Sequence, residues 1–208
     1  MNVAPPPRCA ALALLGAFAA VPGATGAQEF HVDTDADNRV VFISRASIEE
    51  FEGVTDRIDG YALLDGDGVR PGTAFDGARL YFEVDLASLD TGIGLRNRHM
   101  RENYLEVEEH PYATFAGTVA RIVDTADGLR VESDGTFTVH GVSRARSLDC
   151  LALADGDGWR VSCGFVVNLT DHDIEIPKIM FLKLAEDIRV ELDFRLRPAS
   201  TAQEEDRS

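Results

Sequence analysis

The sequence predicts an all-β protein built from antiparallel strands. Apolar and polar side chains alternate with a period of two along most of the chain, and Gly/Asp clusters separate the alternating stretches. "DIRVELDFRLR" shows the pattern most clearly, with one apolar face made of Ile188, Val190, Leu192, Phe194 and Leu196. Eight to ten such strands with few helices indicate a closed barrel or a sandwich.

The strands can be assigned in chain order. "EFHVDTD" and "NRVVFISRA" flank a turn at Ala36-Asp37, and "DRIDGYALL" ends at a "DGDG" turn, residues 65–68. "ARLYFEVDLASL", "TFAGTVARIV", "GLRVESDGTFTVHG" and "WRVSCGFVVNL" follow with the same alternation. These segments precede the final strand and predict half-buried antiparallel strands.

Two segments break the alternation and are predicted to be helical. "SIEEFEG" (47–53) fits one helical turn capped by Ser47, with Glu50 three residues later as in a capping box. "GLRNRHMRENYLEV" is the better helix candidate, because Gly92 and Gly94 precede its body and Pro111 stops a helix near Glu109.

One apolar run does not alternate. "IEIPKIMFLKLAEDI" (174–188) is nearly continuously apolar after its proline. Either this run is an ordinary core strand end, or some of its side chains face a cavity.

The N-terminus has the layout of a secretory signal peptide. One Arg precedes an apolar run from Ala10 to Val21, and small residues at Thr25 and Ala27 suit cleavage before Gln28. The run is shorter than the roughly 20 residues that span a bilayer, although an unprocessed anchor is the alternative. We therefore predict a signal peptide at 1–27, export to the periplasm, a barrel domain at 28–197 and a polar tail at 198–208.

Acidity excludes some partners. The net charge is −16, and loss of Arg8 with the signal peptide makes the mature chain more acidic. Such a charge argues against nucleic acid as a partner and against anionic membrane surfaces.

Two cysteines remain in the mature chain, Cys150 and Cys163. If Asp155–Gly158 is a hairpin loop in which Ala154 faces Trp159, the two cysteines lie directly opposite each other. A disulfide is then within reach in an oxidising compartment, and two reduced cysteines in the core are the alternative.

Motifs for catalysis or metal binding are weak. No two of the five histidines have the short spacing of a zinc site, and no G-x-S-x-G nucleophile motif occurs. We therefore predict no enzyme, no cofactor and no metal. A metal-dependent hydrolase using His99 and His110 with acidic neighbours is retained as an alternative.

Three segments together resemble the YceI-like family. They are "RNRHMRENYLEVEEHPYATF", "GTFTVHGVSRARSLDC" and "EDIRVELDF", and the resemblance extends over about residues 29–197. It implies an exported, lipocalin-like antiparallel barrel of about eight strands with one or two short helices. It also implies a long polyisoprenoid or isoprenoid-quinone ligand in an elongated apolar cavity.

Strand parity and the resemblance together suggest which residues line such a cavity. From the strands these are Phe82, Val84, Phe115, Phe137, Trp159, Phe165, Phe181, Val190 and Phe194, and Met100, Tyr104 and Leu105 would close one end. Each could instead only fill the core. Arg98, His99 and Arg101 would meet a polar or phosphorylated head group, or else pair with Glu102 and Glu106.

The function predicted from the sequence is therefore binding. The chain would hold a polyprenol, polyprenyl phosphate or isoprenoid quinone for carriage or storage, with transient membrane or membrane-protein contact as a possible partner interaction. A ligand-free structural or stress-response interaction module is a further alternative.

Overall fold

A computed structural model describes residues 28–45, 50–64, 78–176, 178–179, 182–183 and 185–199. Residues 1–27, predicted to be a signal peptide, Phe181 and residues 200–208 of the predicted polar tail lie outside these ranges. The strands are β1 (Gln28–Val32), β2 (Arg39–Arg45), β3 (Glu50–Thr55), β4 (Ile58–Leu64), β5 (Arg79–Asp85), β6 (Tyr112–Thr125), β7 (Gly128–Val139), β8 (Val142–Asp155), β9 (Gly158–Asn168), β10 (Lys178–Ile179), β11 (Leu182–Lys183) and β12 (Asp187–Pro198).

Ten of these strands form one sheet that closes on itself. The strand order is β1-β4-β5-β6-β7-β8-β9-β12-β2-β3, and β1 also pairs with β12. β1 and β2 both pair with β12, one after the other, and so occupy one position in the barrel. β3 pairs with β2 and β4 pairs with β1, so these two also share one position. The ten segments therefore make eight strands around the barrel. The prediction of a closed antiparallel barrel of about eight strands is confirmed.

The turn predicted at Ala36-Asp37 is present but does not make a hairpin. Phe30–Val32 pair with Leu196–Pro198, whereas Arg39–Ser44 pair with Ile188–Asp193 of the same strand. The segment between β1 and β2 is therefore an interruption in one long strand. Asn38 fixes it, since its Nδ2 donates to Asp33 O (2.8 Å) and its Oδ1 accepts from Arg195 N (3.0 Å).

The second predicted helix is confirmed, with a different ending. Helix α1 (Gly94–His99) continues into a π-helical turn, Met100–Tyr104. The helical path ends before Glu109, the predicted limit, because Glu106 has φ 47° and starts a tight turn in which its carbonyl accepts from His110 N (2.9 Å).

The first predicted helix is wrong over residues 50–53, which belong to β3; residues 47–49 lie outside the described ranges. Glu50 pairs with Arg45 and Gly53 pairs with Phe42, so the ladder to β2 replaces the local helical preference. A Cβ on Gly53 would lie 2.1 Å from Phe42 Cε1, which explains why glycine suits this place in the strand.

The barrel has two different ends. The turn end carries the β6–β7 turn, Ala126–Asp127, and the β8–β9 turn, Gly156–Asp157. The cover end carries α1 with its π-helical turn, the β7–β8 turn at His140–Gly141, and the connection from β9 to β12 with its 3-10 turn Thr170–His172. No helical segment within the described ranges is long and apolar enough to cross a membrane.

Candidate functional site

An apolar cavity of about 670 Å³ runs inside the barrel. It forms because each strand directs alternate side chains inward, as Leu80, Phe82 and Val84 of β5 show. The polar side chains at its wall, apart from the Trp159 indole, are Ser44, Arg96, His99, Tyr104, Thr114 and Ser133. Its volume lies within the roughly 300–1,000 Å³ of known ligand pockets.

The cavity is elongated along the barrel. Successive inward residues of β12, from Ile188 to Leu196, all line it. At about 3.4 Å per residue these eight steps span roughly 27 Å along the strand. Trp159 lines the turn end, whereas Leu169 and Ile174 line the cover end.

Most of the residues predicted from strand parity and the family resemblance lie at the cavity wall. Eleven of the twelve predicted ligand contacts line the cavity, namely Phe82, Val84, Met100, Tyr104, Leu105, Phe115, Phe137, Trp159, Phe165, Val190 and Phe194. Phe181 lies outside the described residues. Several of the eleven also pack in the core, as Phe82 and Phe194 do with ring centroids 5.2 Å apart. The same side chains thus serve both packing and the cavity wall.

Residues 93–105, which we call the cover, close one end of the cavity. Met100, Tyr104 and Leu105 line it from the π-helical turn and the residue after it. Ile93 and Leu95 also line it but remain 51% and 57% exposed, so they lie at its mouth. Neither residue was among the predicted lining residues, although Leu95 belongs to the predicted helical segment.

Hydrogen bonds at its N-terminal side anchor the cover. Asn97 Nδ2 donates to Asp90 Oδ1 (2.6 Å), and Asn97 Oδ1 accepts from the Thr91 backbone N–H (2.8 Å). The Asn97 bond, followed by the bond from the Gly92 N–H, lowers the pKa of Asp90. Arg101 Nη2 donates to Leu89 O (2.8 Å) and ties the C-terminal part of the cover to the same segment.

One of the three predicted head-group residues reaches the cavity. His99 lines it, whereas Arg98 is exposed and Arg101 is bonded to Leu89 O. Arg96, which was not predicted, lines the cavity and stacks over the Phe51 ring, with its guanidinium carbon 4.3 Å from the centroid. Positions 96, 99 and 100 share one helical face, so helical spacing could have identified Arg96.

A disulfide joins β8 to β9 at the cavity wall. Cys150 and Cys163 face each other with Cα atoms 4.5 Å apart and an S–S distance of 2.01 Å, so the predicted register and bridge are both present. The hairpin loop has two residues rather than the predicted four, since Asp155 also pairs with Gly158. The register is unchanged because the loop shortens equally on both sides.

The disulfide marks the place where two strands separate. In the described ladders Cys150–Cys163 is the last β8–β9 pair, and β8 continues beside β7 while β9 continues beside β12. The Arg146 guanidinium carbon lies 5.6 Å from the Phe165 ring centroid across this gap. The turn that contains His172 covers it further, with a hydrogen bond from His172 Nδ1 to Val142 O (2.9 Å).

The histidine pair considered for a metal site is not together. His99 lines the cavity, whereas the ring of His110 lies 5.2 Å from the ring of His140, measured between centroids. This second pairing was not predicted, because thirty positions separate the two residues along the chain.

Comparisons with known proteins agree with this geometry. A YceI-like domain matches residues 30–196, and no curated protein matches the chain. BcnA from Burkholderia cenocepacia has the same fold, with a TM-score of 0.64 and 16% identity, over 79% of this chain and 98% of BcnA. A polyisoprenoid-binding domain from Saccharophagus degradans gives a TM-score of 0.60 and 17% identity, over 82% of this chain and 98% of that domain. The chain belongs to the YceI-like family.

Proposed function

We propose that this chain is an exported binding protein that holds a long apolar isoprenoid in the barrel cavity, for carriage or storage. The observation that carries the proposal is the cavity itself, which is about 670 Å³ in volume, elongated and almost wholly apolar. Binding would be driven by burial of hydrocarbon at about 0.8 kcal/mol per CH₂, less the cost of ordering the chain. Long isoprenoids would therefore bind more tightly than short ones.

The fold supports this class of ligand. The similar domain from Saccharophagus degradans is described as polyisoprenoid-binding, and this chain shares its architecture. A ligand-free interaction module is less well supported, because a barrel with that role has no need of a cavity. Polyprenol, polyprenyl phosphate and isoprenoid quinone all fit the proposal.

The charged side chains suggest how the ligand would lie. Among the described residues that line the cavity, Arg96 and His99 are those able to carry charge, and both belong to the cover. A polar head group would sit beside these two charged side chains. Arg96 is held in place there, since its Nε donates to Thr91 Oγ1 (3.0 Å) and its Nη2 to Thr91 O (3.0 Å). The isoprenoid tail would then extend toward Trp159 at the turn end.

A block in the middle of the cavity tests the site. Ser133 is buried at the wall, whereas Thr136 on the same strand is exposed on the outer face. The delipidated Ser133→Phe and Thr136→Phe variants would be incubated with a long polyprenol, separated by gel filtration, and assayed for bound lipid by mass spectrometry. We expect Thr136→Phe to retain lipid as wild type does and Ser133→Phe to lose it. Equal retention by both variants would place the lipid elsewhere.

Export is part of the proposal and has its own test. The mature protein recovered from the periplasmic fraction of an expressing bacterium should begin at Gln28. Full-length protein that still carries residues 1–27 and stays in the cytoplasmic fraction would contradict export.

A further inference from the structure

A compact group of side chains with potential metal-ligand atoms lies outside the cavity. Glu106, His110 and His140 each place one potential ligand atom within 4.8 Å of the other two. Glu106 and His110 belong to the loop that follows the cover, and His140 belongs to the β7–β8 turn. None of the three is among the residues that line the cavity.

The backbone at this place is shaped to bring the group together. Glu106 and His140 have φ values of 47° and 53°, in the left-handed region that non-glycine residues seldom adopt. The Glu106 carbonyl accepts from His110 N, which turns the His110 ring back toward His140. Gly141 permits the approach, since a Cβ there would lie 2.7 Å from His110 Cε1.

Hydrogen bonding around His140 leaves its Nε2 facing a carboxylate oxygen. His140 Nδ1 lies 3.2 Å from the His172 carbonyl oxygen, which can only accept, so Nδ1 carries the hydrogen. In a neutral ring Nε2 then presents a lone pair, and it faces Glu106 Oε2 at 3.2 Å. Two acceptors at this distance require either a proton or a metal ion between them.

The second imidazole favours a metal ion over a proton alone. A proton on Nε2 would join only His140 and Glu106, whereas the His110 ring also lies here, 5.2 Å from that of His140 between centroids. A metal ion needs several donors, and His110 supplies the third. A metal-bound histidine usually donates its other ring N–H to a carbonyl or carboxylate, as His140 does to His172.

We propose that Glu106, His110 and His140 bind one divalent transition-metal ion of the zinc type. Imidazole and carboxylate are common zinc ligands, with bonds of about 2.0–2.2 Å and tetrahedral geometry, which place ligand atoms roughly 3.3 Å apart. The separation of 3.2 Å between Glu106 Oε2 and His140 Nε2 already matches that spacing. Rotation of the His110 ring would complete three ligands and leave the fourth position to water.

An ion bound at this place would link the cover to the barrel. Glu106 follows Leu105, which lines the cavity, while His140 is part of the barrel itself. A bound ion would therefore join the C-terminal side of the cover to the β7–β8 turn. Because it binds the folded chain, it would also raise the thermal unfolding midpoint.

Calorimetric titration of the chelator-treated mature chain with zinc chloride tests the site. The variants are His110→Ala and His140→Asn, the second chosen because asparagine tolerates the left-handed backbone. His31→Ala is the matched control. His31 Nε2 lies 2.9 Å from Glu29 Oε1 at the turn end, and among the described residues this pair belongs to no group of three potential metal ligands.

We expect one zinc ion per chain in wild type and in His31→Ala, and a raised unfolding midpoint in both. Both site variants should bind zinc at least about 10-fold more weakly, as loss of even an outer-shell partner costs that much. Wild type that binds no zinc would overturn the proposal. Unchanged zinc affinity in His110→Ala and His140→Asn would overturn it equally, because the ion would then be bound elsewhere.

Discussion

The two ends of this barrel are built differently although the same strands form both. At the turn end the described β6–β7 and β8–β9 turns have two residues each. Arg195 binds three carboxylates there, with Nη1 2.6 Å from Asp33 Oδ2 and Nη2 2.9 Å from Asp157 Oδ1, and Asp155 as the third partner. This network ties the interrupted β1–β2 strand to the β8–β9 turn across β12.

At the cover end the β5–β6 connection, residues 86–111, is longer, and side chains anchor the cover that it carries. The cover depends on Asn97, Asp90 and Arg101, and two apolar residues at its tip, Ile93 and Leu95, remain exposed. A barrel that must admit a ligand needs one end that can open at low cost, and regions with few buried contacts open most easily. We therefore expect the proposed ligand to enter at the cover end, and the described part of the turn end to contribute more to stability.

The largest effect on stability is expected at a core residue near the turn end. Phe194 is 3% exposed and its ring packs 5.2 Å from that of Phe82, so Phe194→Ala should lower the free energy of unfolding by between about 3 and 5 kcal/mol. Urea unfolding of the lipid-free protein measures this. A loss no larger than that of Met100→Ala would remove the distinction between the ends.

Removal of the disulfide between β8 and β9 should have the next largest effect on stability. Thirteen positions separate Cys150 from Cys163, and closing a loop of this size stabilises a protein by about 3 kcal/mol. The Cys150→Ala/Cys163→Ala double variant should show this loss, with hydrogen exchange rising most in the β8 and β9 segments beyond the bridge. Intact mass with and without reductant, differing by two hydrogens, confirms the bond first; an unchanged mass would contradict it.

A substitution in the cover should lower ligand affinity more than it lowers the free energy of unfolding. Met100 is only half-buried and lines the cavity, so Met100→Ala should lower stability by about 1 kcal/mol or less. Lipid affinity should fall about fivefold, on the order of 1 kcal/mol, because apolar contact with the ligand is lost. Urea unfolding measures the loss of stability, and polyprenol binding measures the loss of affinity. A larger loss of stability than of binding free energy would contradict the assignment of the cover to ligand binding.

The smallest expected effect is a loosening of the cover as the pH falls. The folded-state pKa of Asp90 lies below its ordinary value of 3.8, mainly because Asn97 donates to the carboxylate. Its contribution is therefore present above that value and is lost as the pH falls through the folded-state pKa. Hydrogen exchange of residues 94–104, corrected for intrinsic rates, should rise in acid for wild type. Asp90→Asn should lack this step, and an identical acid response in both would exclude Asp90 as an anchor.

Much of the fold and of the cavity wall could be predicted because the responsible signals are local. Alternation along one strand identifies inward residues such as Phe82 and Phe194 without knowledge of their neighbours. The helical segment of the cover was likewise visible in its flanking glycines and in Pro111. Arg96 was not predicted, although its position shares one helical face with His99 and Met100.

Features that depend on distant pairing could not be predicted in this way. β1 and β2 act as one interrupted strand because both pair with the long strand β12. Residues 50–53 form a strand because they pair with β2. The approach of His110 to His140 depends on two left-handed residues and on the barrel closing between them. No spacing rule within the sequence describes such a juxtaposition.

The central claim is that the cavity holds a long isoprenoid, and lipid extraction tests it most directly. Protein purified without detergent from an exporting bacterial host would be extracted with organic solvent and the extract analysed by mass spectrometry, with the Ser133→Phe variant prepared in parallel. We predict a polyprenol, polyprenyl phosphate or isoprenoid quinone in the wild-type extract and little of it in the variant. No isoprenoid in the wild-type extract, together with no uptake of added polyprenol or quinone, would contradict the claim.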